Sequence, residues 1–164
     1  MFNAIDHIYG AISVRLRRFF LNVRNIPDLS IVDSNLYIGG FCNIKNLSDH
    51  GIQAILDLRE EGEDDSKDLG KYSMQYLRIG ICDQGIPTLH DTQSALDWIR
   101  HNLNDNKKVF IHCNLGRGRA PLMACLYLIS KGVEMRSAIK LVKKSRKYTY
   151  FNQNQIQYIK KFIS

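Results

Sequence analysis

None of the four cysteines, Cys42, Cys82, Cys113 and Cys125, forms a C-x-x-C pair, and their wide spacing argues against a zinc site. A chain of 164 residues can bury a core without disulfides, so the thiols are read as free, in a reducing cytoplasmic compartment. There is no apolar run near the ~18 residues that suggest a membrane span. A secretory leader is also missing, because "SVRLRRFF" breaks the N-terminal segment with charge. No repeat, low-complexity tract or linker divides the chain, which implies one main domain. What remains is an ordinary globular composition, 45% hydrophobic and 24% charged.

The two charge signs are kept apart. From Lys131 to Ser164 nine Lys or Arg face a single acid, Glu134, within a net charge of +7. "DLREEGEDDSKD" (Asp57 to Asp68) reverses this, with seven acids against two bases. Each is read either as a solvated surface or, for the basic part, as a face that attracts anionic partners.

Residues 1–26 form the first unit, an amphipathic helix closed by Pro27. Phe2, Ile5, Ile8, Ile12, Leu16, Phe19, Phe20 and Val23 recur at three- and four-residue steps. Arg15, Arg17, Arg18 and Arg24 add charge, and Asp6 is the one acid. Three readings stand: a helix packed on the domain, a peripheral anchor on a membrane surface, or a targeting leader. Residues 27–164 form the second unit. "LYIGG" (Leu36 to Gly40), "AILDL" (Ala54 to Leu58), "MQYLRIGI" (Met74 to Ile81) and "KVFIHC" (Lys108 to Cys113) are strand-like, the last a buried central strand. "DTQSALDWIRHNL" is helical, with Ala95, Leu96, Trp98, Ile99 and Leu103 on its buried side. Three more helices, "APLMACLYLISKG", "EMRSAIKLVKKSRK" and "NQNQIQYIKKFI", fill the C-terminal third, and Gly132 is placed to end the first. The pattern predicts an α/β domain with a central, mainly parallel twisted sheet of four to five strands flanked by helices.

"VFIHCNLGRGRAP" (Val109 to Pro121) carries the chemistry. The buried strand ends at His112 and Cys113, and a helix starts near Arg119 or Ala120. A strand-to-helix turn at the carboxyl edge of a parallel sheet is where such folds bind ligands. The helix start offers unpaired N–H groups and a positive dipole end. Gly116 and Gly118 let the backbone of Asn114, Leu115, Gly116, Arg117 and Gly118 curl into an anion nest. Helix N-termini and nearby cations favour the thiolate, so Cys113 is placed as a nucleophile. Arg119 returns across the loop, and its planar fork matches two phosphate oxygens. Asp83 in "GICDQGIPTL", on an exposed loop at the same edge, is the candidate general acid; Glu60 to Asp65 contain rivals that nothing in the sequence fixes near the thiol.

"HCNLGRGR" resembles the H-C-x5-R signature of the cysteine-based protein tyrosine phosphatases. "DSNLYIGG", "GIQAILDL" and "CDQGIPTL" resemble the first strand, next strand and general-acid loop of its compact dual-specificity branch. "SRKYTYFNQNQIQYIKKF" resembles its closing helices, without the usual proline after the arginine. The resemblance runs from about Ile31 to Phe162. It implies a phosphocysteine on Cys113, Arg119 as phosphate clamp and Asp83 as acid and then base. Backbone N–H groups of Asn114 to Gly118 would cradle the phosphate, His112 would hold the loop, and no metal or cofactor is expected. Ala120 departs from the usual Ser or Thr, which predicts slower breakdown of the intermediate. With no large insertion to deepen the pocket, the expected partner is a phosphorylated protein, on phosphotyrosine and also phosphoserine or phosphothreonine, acted on by a monomer. Arg117 and "DQGIPTL" also resemble the phosphatidylglycerophosphate phosphatase group, which makes an anionic phospholipid the second expectation and a phosphate-binding pseudophosphatase the third. No base-stacking pattern supports a nucleic-acid partner. Cys82, beside Asp83, is a small strand-end residue or, under oxidant, a disulfide partner for Cys113.

Overall fold

The computed structural model describes residues 4–24 and 26–163; of residues 4–7, 18 and 22 it describes the backbone alone. Phe2 therefore lies outside the described residues, as do the side chains of Ile5, Asp6 and Arg18. Five strands form one sheet: β1 (Leu29–Asp33), β2 (Leu36–Gly39), β3 (Ile52–Arg59), β4 (Gln75–Ile81) and β5 (Lys108–His112). Their order is β1-β2-β5-β3-β4. β5 sits at the centre, parallel to both β2 and β3, and β4 runs parallel to β3. Only β1 is antiparallel, folded back on β2.

Successive strand residues point to opposite faces, and the sequence alternates to suit. On one face Leu36, Ile38, Ala54, Leu56, Leu58, Val109 and Ile111 join the larger core cluster. That face is covered by α4 (Leu89–Asn104), α5 (Arg119–Ser130), α6 (Met135–Ser145) and α7 (Gln153–Phe162). The other face carries Ile52, Ile55 and Phe110 under two short helices, α2 (Ile44–Asp49) and α3 (Ser66–Lys71). α5 is apolar on all sides: Arg119 to Leu128 are buried throughout, as a helix at the centre of a domain requires. Ala95, Leu96 and Ile99 of α4 are buried, with Trp98 and Leu103 partly so, matching the side expected from spacing. Gly132, at φ +90°, comes just after Lys131, the C-cap of α5.

Two features differ from the sequence reading. β1 was not expected, because Leu29–Asp33 is short and its one buried residue, Ser30, is polar while Ile31 is exposed. α2 and α3 are single turns and a half, too brief for periodicity to register; each is fixed by a side-chain cap, from Asn43 and Asp65. The N-terminal helix, α1 (Ala4–Val23), packs on the domain through the buried Val14 and an Arg17–Asp28 ion pair.

Candidate active site

Because β3, β4 and β5 are parallel, the loops that follow them emerge at one edge of the sheet. Those loops carry Glu61, Asp83 and Cys113. A cleft of about 250 Å³ lies there, lined by Asp83, Cys113, Asn114, Leu115, Arg117 and Gly118, with Ala11 and Arg15 of α1 at its rim. Cys113 is 3% exposed. The fold thus brings together the thiol, the nest residues and Asp83, which the sequence had placed at one edge.

The loop has a definite polarity. The carbonyl of Asn114 accepts from the Phe41 N–H (3.0 Å), that of Arg117 from the Tyr150 N–H (2.9 Å), and that of Gly118 from the Leu122 N–H (2.8 Å). Arg146 donates to the carbonyls of Leu115 and Gly116. Five consecutive carbonyls are thereby held outward. Since a trans peptide puts C=O and the following N–H on opposite sides, the N–H groups of Leu115 to Arg119 turn inward, toward the thiol side. Gly116 is required here: at φ +64° a Cβ would lie 2.3 Å from the Gly39 carbonyl carbon.

Arg146, at the C-cap of α6, went unnoticed in the sequence because it reads as one base in a basic run. It is 1% exposed. Asp28 balances it, accepting at 2.6 and 3.1 Å. Burial alone would raise the Asp28 carboxyl, but the hydrogen bond and charge of Arg146 outweigh it and hold the carboxyl below its usual range.

Arg119 is 1% exposed and joins the ends of two strands, donating to the carbonyls of Ile81 (2.8 Å) and Leu58 (3.4 Å). Glu61 takes its fork end-on, 2.7 Å to each terminal nitrogen, and Asp83 lies 3.3 Å from one of them. The Nε–H is buried with no hydrogen-bond partner among the described residues, a donor suited to a phosphate oxygen. Burial opposes charge on Arg119, yet the Glu61 hydrogen bond and the charges of Cys113, Glu61 and Asp83 prevail and raise it. The same bond draws Glu61 down to about 2. Glu61 is the orienting residue that sequence reasoning left unassigned in the acidic run; only the β3–β4 geometry selects it. Replacing it by Gln should lower kcat/KM about 10- to 100-fold by loosening the clamp. A carboxyl depressed on folding stabilises fully above its unfolded pKa of about 4.3, with the gain lost as pH falls through about 2. The urea-midpoint gap between wild type and Glu61→Gln should therefore close across that window.

The acidic run is not simply the solvated surface expected. Asp57, Arg59 and Asp64 are buried, because Arg59 bridges the two carboxylates at 2.7 and 2.6 Å. Tyr76 donates to Asp57 at 3.0 Å. His112, 1% exposed, points its Nε2 at Asp64 (3.2 Å) and stacks on Phe110. It faces these charges beneath the loop. Ligand atoms of Asp57, Asp64 and His112 fall within 4.8 Å of one another, the spacing of a metal site, but the Arg59 guanidinium supplies the cation between the carboxylates. Asp83 is held more loosely: its side chain is 76% exposed, while Asn152, the N-cap of α7, and Gln155 within it grip the carbonyls of Gln84 and Gly85 next to it. Cys82 is exposed and its thiol is free, as is that of Cys113. Ala120 is fully buried in the first turn of α5.

Sheet, loop and helix together are those of the cysteine-based protein tyrosine phosphatase superfamily. More particularly, residues 42–133 match the family described as Tc-R-P, polymorphic toxin system, DSP-PTPase phosphatase, and the chain belongs to it. The matched span contains Asp83, Cys113 and Arg119. The chain is 25% identical over 123 residues to the human phosphatidylglycerophosphatase and protein-tyrosine phosphatase 1, covering 71% of this chain and 61% of that protein. It is 26% identical over 124 residues to the Arabidopsis thaliana phosphatidylglycerophosphate phosphatase PTPMT2, covering 73% and 54%. The chain thus spans less than two thirds of each. Among solved structures, Tk-PTP in its active form superposes with a TM-score of 0.76 at 24% identity, covering 83% of this chain and 96% of that one. PTPMT1 in complex with PI(5)P gives 0.74 at 22%, covering 82% and 94%. At these identities the structures speak for the fold.

Proposed function

We propose that the chain is a phosphomonoester hydrolase that works through a phosphocysteine on Cys113. The observation that carries this reading is the loop itself. Five carbonyls are held by donors outside the nest, which turns the following N–H groups toward the thiol side, and the buried Arg119 Nε–H has no partner among the described residues. Phosphoryl transfer asks chiefly for such positioning and charge.

In the first step Cys113 Sγ attacks phosphorus as the ester P–O bond breaks, and protonated Asp83 gives its proton to the leaving oxygen. In the second, water attacks the phosphorus, the S–P bond breaks with thiolate as leaving group, and Asp83 takes the water's proton. Glu61 holds the Arg119 guanidinium in place by its two terminal nitrogens throughout, which leaves the Nε–H for a phosphate oxygen. The preferred substrate is a phosphorylated protein, on phosphotyrosine and on phosphoserine or phosphothreonine. A phospholipid headgroup is the second reading, favoured by the apolar outer face of α1 beside the cleft.

Asp83→Asn tests the acid. It should cost about 10²- to 10⁴-fold in kcat/KM, which reports the first step alone, on alkyl phosphates and far less on p-nitrophenyl phosphate, whose leaving group needs little protonation. Equal losses on both would move the acid elsewhere. Ala120→Ser tests the second step: a hydroxyl there stabilises the departing thiolate. Wild type should show a pre-steady-state burst of nitrophenol that shrinks in the variant as its steady rate rises; a burst-free wild type would refute the assignment of the slow step.

A further inference from the structure

α1 is amphipathic in the opposite sense to a packed surface helix. Its narrow side faces the domain: Val14 is 2% exposed, Arg17 lies 3.4 Å from Asp28, and a Cβ on Gly10 would come within 2.6 Å of the Arg117 guanidinium. Its broad apolar side faces out. Ile8, Ile12, Leu16, Phe19, Phe20 and Val23 are 49–68% exposed. At about 100° per residue these six fall within an arc of roughly 120°. Arg15 and Arg24 lie just beyond its two edges, and Ile8 to Arg24 contains four arginines and no acid. No helix among the described residues is long and apolar enough to cross a membrane. An apolar arc edged by arginines is the pattern of a helix lying in a bilayer interface, with cations at the level of anionic headgroups.

The position of the arc gives it a use. Arg15, at one edge, lines the cleft together with Ala11, so the cleft mouth adjoins the apolar face. We infer that α1 seats the protein on an anionic phospholipid bilayer and sets the mouth of the cleft against the lipid surface. Charge decides between occupants. A second copy would bring its own two edge arginines against Arg15 and Arg24, whereas anionic lipid is complementary to them. The seating itself needs no catalysis; its consequence for membrane-borne phosphoesters rests on the proposed phosphatase reading.

The test is sedimentation of the full chain with vesicles of phosphatidylcholine alone or with phosphatidylglycerol added. Wild type and Cys113→Ser should both sediment with the anionic vesicles and neither with the neutral ones, so failure of the catalytic reading leaves this result intact. Leu16→Glu combined with Phe19→Glu should weaken binding at least about a hundredfold while p-nitrophenyl phosphate turnover stays within about twofold. Arg24→Glu, a milder change at an exposed position, should weaken it about five- to tenfold. Equal sedimentation of wild type and both variants would overturn the inference. So would a concentration-dependent wild-type dimer that the double variant dissolves, with no vesicle binding by wild type.

Discussion

Arg146→Met is expected to destabilise the fold by about 3–5 kcal/mol, read as a lowered urea midpoint at unchanged slope. The substitution leaves Asp28 buried with its main counter-charge gone and strips the donor from the Leu115 and Gly116 carbonyls. Arg17, at 3.4 Å and half-exposed, is too weak a partner to replace it. Adding Asp28→Asn should recover part of the loss, since much of the cost is the orphaned carboxylate. Activity should not recover with it: two carbonyls of the loop remain without their donor and the cradle loosens. A cost under about 1 kcal/mol for Arg146→Met would mean that the loop holds its shape unaided.

Cys113→Ser should reduce kcat by about 10⁴-fold or more on every phosphoester the wild type accepts, because it removes the nucleophile while leaving the cradle. Inorganic phosphate should still bind within a few-fold of wild type, since the inward N–H groups and Arg119 are untouched. That pairing of lost turnover with kept affinity separates a nucleophile from a residue that merely packs.

Cys113, Arg119, Asp83 and the glycine nest were legible in the sequence because one contiguous motif and one strand-end loop carry them. The alternation of strands and helices also told the sheet's class, with all four expected strands present. Arg146 and Glu61 were not legible, for a common reason. Each sits within a run of like charge, and what singles it out is a partner far along the chain: Asp28 for Arg146, Arg119 for Glu61. Local pattern cannot report such pairings. The acidic run misled similarly, since Asp57, Asp64 and Arg59 neutralise one another out of water. α1 was legible as amphipathic, but periodicity alone cannot say which side meets the domain.

The central claim is a covalent bond between Cys113 and phosphorus. Its most direct test is rapid acid quench of the enzyme mixed with a radiolabelled phosphoester, followed by peptide mapping. A thiophosphate label on the peptide holding Cys113, appearing within the first turnover and absent from Cys113→Ser, is the predicted result. Label on another residue, or turnover by Cys113→Ser equal to wild type, would contradict it.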